Sequence, residues 1–212
     1  MAVLLFGGTA LFAKLIDLPA LDITVYRSLV AAIVLCILLI SRKKLLKLNS
    51  VKDYKIALLL GVLMGWHWVT YFSRMQLAGI TIALFSYTVI TVLLEPLFYK
   101  SQPQFKNFIS DLVVVLSIYL LIPEASLGNQ VTLGGVVEII SAFLFSLRNI
   151  IHKKYFTQYS GQQTMMYQAL IASVILCVFV EVPPTQVNLN DWWLILLVGV
   201  FFYCLITFSF YC

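Results

Sequence analysis

Residues 22–47 read DITVYRSLVAAIVLCILLISRKKLLK. After Arg27 the chain carries no charge until Arg42, and then Arg42, Lys43, Lys44 and Lys47 follow within six positions. A bilayer core about 30 Å thick takes roughly 17–25 helical residues to cross. An apolar run of that length with a basic end is a membrane-spanning helix carrying its own topology signal.

Working outward, the same pattern recurs along the whole chain. The apolar runs predict helices at 1–16, 22–41, 54–75, 78–99, 108–123, 132–152, 164–182 and 192–211. The first and fifth are short for a span, and Gly79 breaks the third from the fourth. The chain is 62% hydrophobic and 11% charged, with mean hydropathy +0.99. A water-soluble domain of this size could not cover so much apolar surface. The fold class is therefore all-α integral membrane, with about eight transmembrane helices. The N-terminal MAVLLFGGTALFAKL has no basic n-region, because Lys14 follows the apolar run. It reads as a membrane helix and not as a signal peptide. Cys36, Cys177, Cys204 and Cys212 all lie in apolar runs without a CxxC, which makes no case for a disulfide or a metal site.

The net charge of +5 does not point to nucleic acid, because the basic residues sit between the apolar segments. RKKLLKLNSVKDYK after the second predicted helix carries six Lys or Arg, and KSQPQFKN and HKKY carry two each. IDLPALD, PEASLGNQ and EVPPTQVNLND carry acids and no Lys or Arg. Every basic connector follows an even-numbered helix, which predicts basic loops and N-terminus in the cytoplasm of a cell with this protein in its inner (plasma) membrane. Trp192 and Trp193 then fall at the outer interface, where indole rings are favoured.

The chain also repeats itself. YRSLVAAIVLCI from Tyr26 aligns with YQALIASVILCV from Tyr167, and DYKIALLLGV from Asp53 with DWWLILLVGV from Asp191. LFGGTALFAKL from Leu5 aligns more weakly with LFSLRNIIHKK from Leu144, so the offsets are 141, 138 and 139 residues. That offset spans five helices. An odd number makes the second copy enter the membrane from the opposite side, which is an inverted-topology repeat of the kind secondary transporters use. Residues 1–130 form the first five-helix repeat and 131–212 an incomplete second one of three helices. The expectation is a C-terminally truncated piece of a ten-helix protein, with a binding cavity between the halves.

LPALDITVYRSLVAA at 18–32, GWHWVTYFSRMQLAGITIALFSYTVITVLLEPLFY at 65–99 and FLFSLRNIIHKKY at 143–155 resemble EamA-like members of the drug/metabolite transporter superfamily. The resemblance covers essentially the whole chain. It implies a five-plus-five inverted fold, transport, and amino acids, related metabolites or drugs as substrates. It also implies that the fourth and ninth helices wall the central cavity. This chain departs from the family in having Thr88 where a mid-helix proline is common.

Charges inside a bilayer are costly and turn toward the bundle interior. Thr81, Thr88, Thr91 and Glu95 recur at helical spacing, as do Glu138, Ser141, Arg148 and His152, and His67, Tyr71 and Arg74. Three polar stripes on apolar helices predict a shared polar seam. Its cavity or gate candidates are Glu95, Arg148, Glu138, His67, Arg27, Tyr71, Thr88 and Thr91. Arg27, Glu138 and His67 form an outer group, whereas Glu95 and Arg148 form an inner pair poised as a gate. Each has a plainer reading. Glu95 anchors the inner interface beside Pro96, His67 packs between helices, and Arg27 snorkels outward. Lys14, Arg74 and Asp111 read as interfacial, and His152 as lying at headgroup level. Gly7–Gly8 and Gly134–Gly135 read as close helix packing.

No HExxH, Gly-rich phosphate loop or defensible Ser–His–Asp order is present. The expected function is a non-enzymatic secondary transporter, an exporter of a small molecule working by alternating access, with no cofactor and no metal. Its surroundings are the lipid bilayer, and a homodimer is compatible with the reading. The alternatives are a non-transporting membrane subunit or fragment and, less favoured, a membrane-embedded lipid enzyme.

Overall fold

The computed structural model describes residues 14–43, 46–78, 116 and 130–202. The first, fourth and fifth predicted helices lie almost entirely outside these residues. The second, third, sixth, seventh and eighth correspond to α1 (Ala20–Ser41), α2 (Val51–Ala78), α3 (Gln130–Tyr155), α4 (Gly161–Leu176) and α5 (Leu189–Leu197). The described residues are helical or irregular, without strands. Four helical stretches, Ala20–Ser41, Val51–Gln76, Leu133–Tyr155 and Gly161–Phe179, are long and apolar enough to cross a membrane.

Local chemistry sets the helix ends. Asp22 lies in the first turn of α1, where the helix dipole favours an acid. At its other end Lys43 adopts φ 52°, a left-handed conformation that closes the helix without a glycine. Ser50 Oγ accepts the Asp53 N–H and donates to Asp53 Oδ2, opening α2 earlier than the apolar pattern suggests. Ser160 Oγ accepts the Gln163 N–H and opens α4. The seventh predicted helix ran to residue 182, but α4 gives way to a 3-10 turn over Cys177–Phe179 ahead of Pro183 and Pro184. Past Leu197, α5 loosens into a π turn over Val198–Phe202.

The helices pack in a simple alternation. Leu35 and Leu39 of α1 meet Met166 of α4, and Ala31 and Ala32 meet Ala169, so α1 and α4 run antiparallel. α2 runs parallel to α4, with Gly61 against Ile171 and Gly65 against Ala172 and Leu176. A Cβ added at Gly61 would lie 2.5 Å from the Ile171 Cβ, so the helices approach more closely than any side chain at 61 allows. Gly199 follows α5 and is similarly pressed: an added Cβ would lie 3.0 Å from the Arg27 carbonyl oxygen and from Val30 Cγ1. At Gly135 an added Cβ would meet nothing within 4 Å among the described residues. The outward faces carry Leu29, Ile33, Ile37, Leu58, Leu59, Ile139 and Ile140, as a lipid-facing surface does.

The bundle has two chemically distinct ends. Arg42, Lys43, Lys47, Lys52, Lys153 and Lys154 share one end with the connector residues 46–50 and 156–160, which are hydrogen-bonded to each other through Asn49 and Tyr159. Asp17, Asp22, Glu181 and Asp191 share the other, where the Asp17 N–H donates to Asp191 Oδ1 and Glu181 N–H to Asp22 Oδ1. Trp192 and Trp193 part company there. Trp193 is 64% exposed, whereas the Trp192 ring packs 5.3 Å from Tyr26.

Candidate functional site

A continuous polar seam runs between the helices. His67, Tyr71 and Arg74 lie on one stripe of α2, and the antiparallel α3 brings Ser141 opposite His67 and Glu138 opposite Arg74. Arg74 Nε lies 2.7 Å from Glu138 Oε2, with both side chains buried. The Tyr71 ring lies 5.2 Å from the same guanidinium. His67 Nδ1 lies 3.0 Å from the Ser141 carbonyl oxygen, and Ser141 Oγ lies 3.2 Å from the His67 carbonyl oxygen. Both bonds are satisfied when Nδ1–H donates to the Ser141 carbonyl and the serine hydroxyl donates to the His67 carbonyl. Phe145 stacks on the imidazole at 4.5 Å.

Arg27 adds α1 to the seam. Its guanidinium sits 3.7 Å from the centre of the Trp68 ring and 4.8 Å from that of Phe72, fully buried. A desolvated cation over an indole is worth about 2 kcal/mol. Arg148 joins α3 to α4, with Nε donating to Gln168 Oε1 at 2.8 Å and Nη1 donating to Asn149 Oδ1 at 2.6 Å. Charged and hydrogen-bonding groups from four packed helices thus face one another inside apolar segments.

The outer group expected from sequence is brought together. Arg27 lies over Trp68, next in sequence to His67, and His67 is tied to Ser141 one turn from Glu138. Glu95, Thr88 and Thr91 lie outside the described residues, and with them the expected Glu95–Arg148 pair. Two placements are corrected. Arg74 is not interfacial: α2 continues to Ala78 and packs along α3, so the guanidinium one turn from the helix end meets Glu138 instead of water. Arg27 does not snorkel outward, because the Trp68 and Phe72 faces hold it inside. His152, beside the basic-end Lys153, is buried with its ring 6.3 Å from Phe156.

Sequence reading missed Gln168, Tyr26 and Tyr167. Each sits in the aligned repeat, where position 26 pairs with 167 and position 27 with 168. Comparing partners across that alignment would have found them.

Residues 1–122 match the EamA-like transporter family. A comparison with curated proteins finds no match.

Proposed function

The chain belongs to the EamA-like transporter family, and from that premise we propose that it is a secondary transporter exporting a small molecule across the cell's plasma membrane. The observation that carries the reading is the buried line of Arg27, His67, Arg74, Glu138 and Arg148 on helices otherwise apolar enough to span a bilayer. Charges at that depth cost several kcal/mol unless they serve a pathway or pair with one another. The seam supplies cationic and hydrogen-bonding groups suited to amino acids, related metabolites or drugs with polar functions. Glu95 and Arg148 act as its inner gate, and the basic end of the bundle faces the cytoplasm.

The transport cycle is alternating access between inverted repeats. Matched contacts support that plan. Gly61 packs on Ile171 and Gly199 packs on Val30. With repeat offsets of 138 for glycine and 141 for its neighbour, each contact is the image of the other. Asp53 and Asp191 likewise correspond, and each accepts a hydrogen bond from the segment just before the parallel partner helix, at Tyr159 and Asp17.

The test compares metabolite release from cells with and without the full-length protein, alongside an Arg74→Gln variant that still reaches the membrane. Release that rises with the protein and falls with the variant is the expected result. An unchanged metabolite profile in all three would refute the proposal.

A further inference from the structure

Two tyrosines occupy equivalent places at opposite ends of the bundle. Tyr26, near the start of α1, donates its hydroxyl to the Val182 carbonyl in the connector after α4. Tyr167, near the start of α4, donates its hydroxyl to the Leu46 carbonyl at 2.9 Å, in the connector after α1. Four residues before each tyrosine stands a second polar side chain that grips the same connector. Asp22 accepts the N–H groups of Glu181 and Val182 at 3.1 and 2.9 Å. Gln163 donates its amide to the Leu46 and Lys47 carbonyls at 3.2 and 3.3 Å. Since α1 and α4 run antiparallel, the two grips close opposite ends.

We infer that Asp22–Tyr26 and Gln163–Tyr167 are paired latches, each holding one end of the bundle shut and releasing in alternation with the other. This inference rests on the alternating-access reading above. The chemistry of the two differs in sign. The acidic end is held by a carboxylate taking two backbone N–H groups, the basic end by an amide giving to two carbonyls. Each grip therefore matches the groups its own connector presents. Each tyrosine bond is a side-chain-to-backbone link between segments more than a hundred residues apart, so its loss loosens that end without breaking a helix. A hydrogen bond of this kind shifts an open–closed equilibrium by roughly 3- to 10-fold.

The reporters are buried apolar residues beneath each latch, Val187 at the acidic end and Leu48 at the basic end. Each is replaced by cysteine in the full-length protein, with the native cysteines changed to serine, and the rate of thiol labelling is measured in detergent micelles. Tyr26→Phe is expected to raise labelling of Val187→Cys by roughly 3- to 10-fold and to leave Leu48→Cys unchanged or slower. Tyr167→Phe is expected to do the converse. An independent pair must move the same reporters. Asp22→Asn turns an amide N–H against a backbone N–H, and Gln163→Glu sets a carboxylate against two carbonyls. Variants that alter both reporters alike, or neither, overturn the latches. The readout needs no substrate. Opposite shifts with unchanged metabolite release would keep the latches and remove the transport reading. Silent reporters with intact transport would do the reverse.

Discussion

Arg74 on α2 and Glu138 on α3 form an ion pair, Nε to Oε2 at 2.7 Å, with both side chains shut off from solvent. The pair holds two antiparallel helices at one register. It also places opposite charges where neither is tolerable alone.

Removing one partner strands the other charge. Arg74→Gln or Glu138→Gln should each destabilise the folded protein by about 3–5 kcal/mol. The double substitution should recover most of that loss, because it leaves no unpaired buried charge. Thermal unfolding in detergent micelles checks this. A double variant whose loss equals the sum of the two singles would show that the side chains do not couple.

Gly61 and Gly65 form a small-residue face on α2 at a spacing of four, turned toward α4. Gly61→Ala drives a Cβ to within 2.5 Å of Ile171 and should cost about 1–3 kcal/mol. Adding Ile171→Ala should relieve part of it. Gly135→Ala meets nothing within 4 Å among the described residues and should be neutral or stabilising by about 0.5–1 kcal/mol. Unfolding midpoints that rank the three substitutions otherwise would contradict the close α2–α4 approach.

Much of this arrangement was legible in the sequence, and the failures have physical causes. Stripe periodicity put His67, Tyr71 and Arg74 on one face, and they do share it. Depth was harder to read. Arg74 looked interfacial because the predicted helix ends at residue 75, whereas α2 runs on to Ala78 and leaves the guanidinium inside. Arg27 looked free to snorkel because periodicity says nothing of the neighbouring helix that presents Trp68. The GxxxG of Gly61 and Gly65 was in plain sight but went unread, masked by the louder GG pairs. The latch residues were invisible singly. A tyrosine near a helix start is unremarkable until a distant connector supplies the carbonyl.

The two ends of the bundle should be separable by labelling. Lys52 and Gln158 are exposed at the basic end, and Thr185 is exposed at the acidic end. In a background without native cysteines, an impermeant thiol reagent outside intact cells should label Thr185→Cys and spare Lys52→Cys and Gln158→Cys. Permeabilising the cells should expose all three. Labelling of the basic-end pair in intact cells would reverse the orientation. Splitting of that pair would contradict the packing of residues 46–50 and 156–160 against each other.

Tyr159 offers a pH-dependent handle on the same end. It lies between α3 and α4, donates its hydroxyl to Asp53 Oδ2 at 2.7 Å and accepts the Asn49 N–H at 2.8 Å. Burial foremost, and then its bond to the Asp53 carboxylate, hold its pKa above the ordinary 10.0. The folded state therefore keeps a proton that the unfolded chain gives up. The stabilisation from this group is complete below pH 10.0 and is lost as pH rises from there through the raised value. Tyr159→Phe should lower stability near neutral pH, by about 1 kcal/mol for a lost hydrogen bond. It should also make the alkaline fall in unfolding midpoint shallower than in the wild type. The measurement is a pair of pH titrations of thermal unfolding between pH 7 and the alkaline limit. Parallel curves would show that the Tyr159–Asp53 bond does not hold the connector.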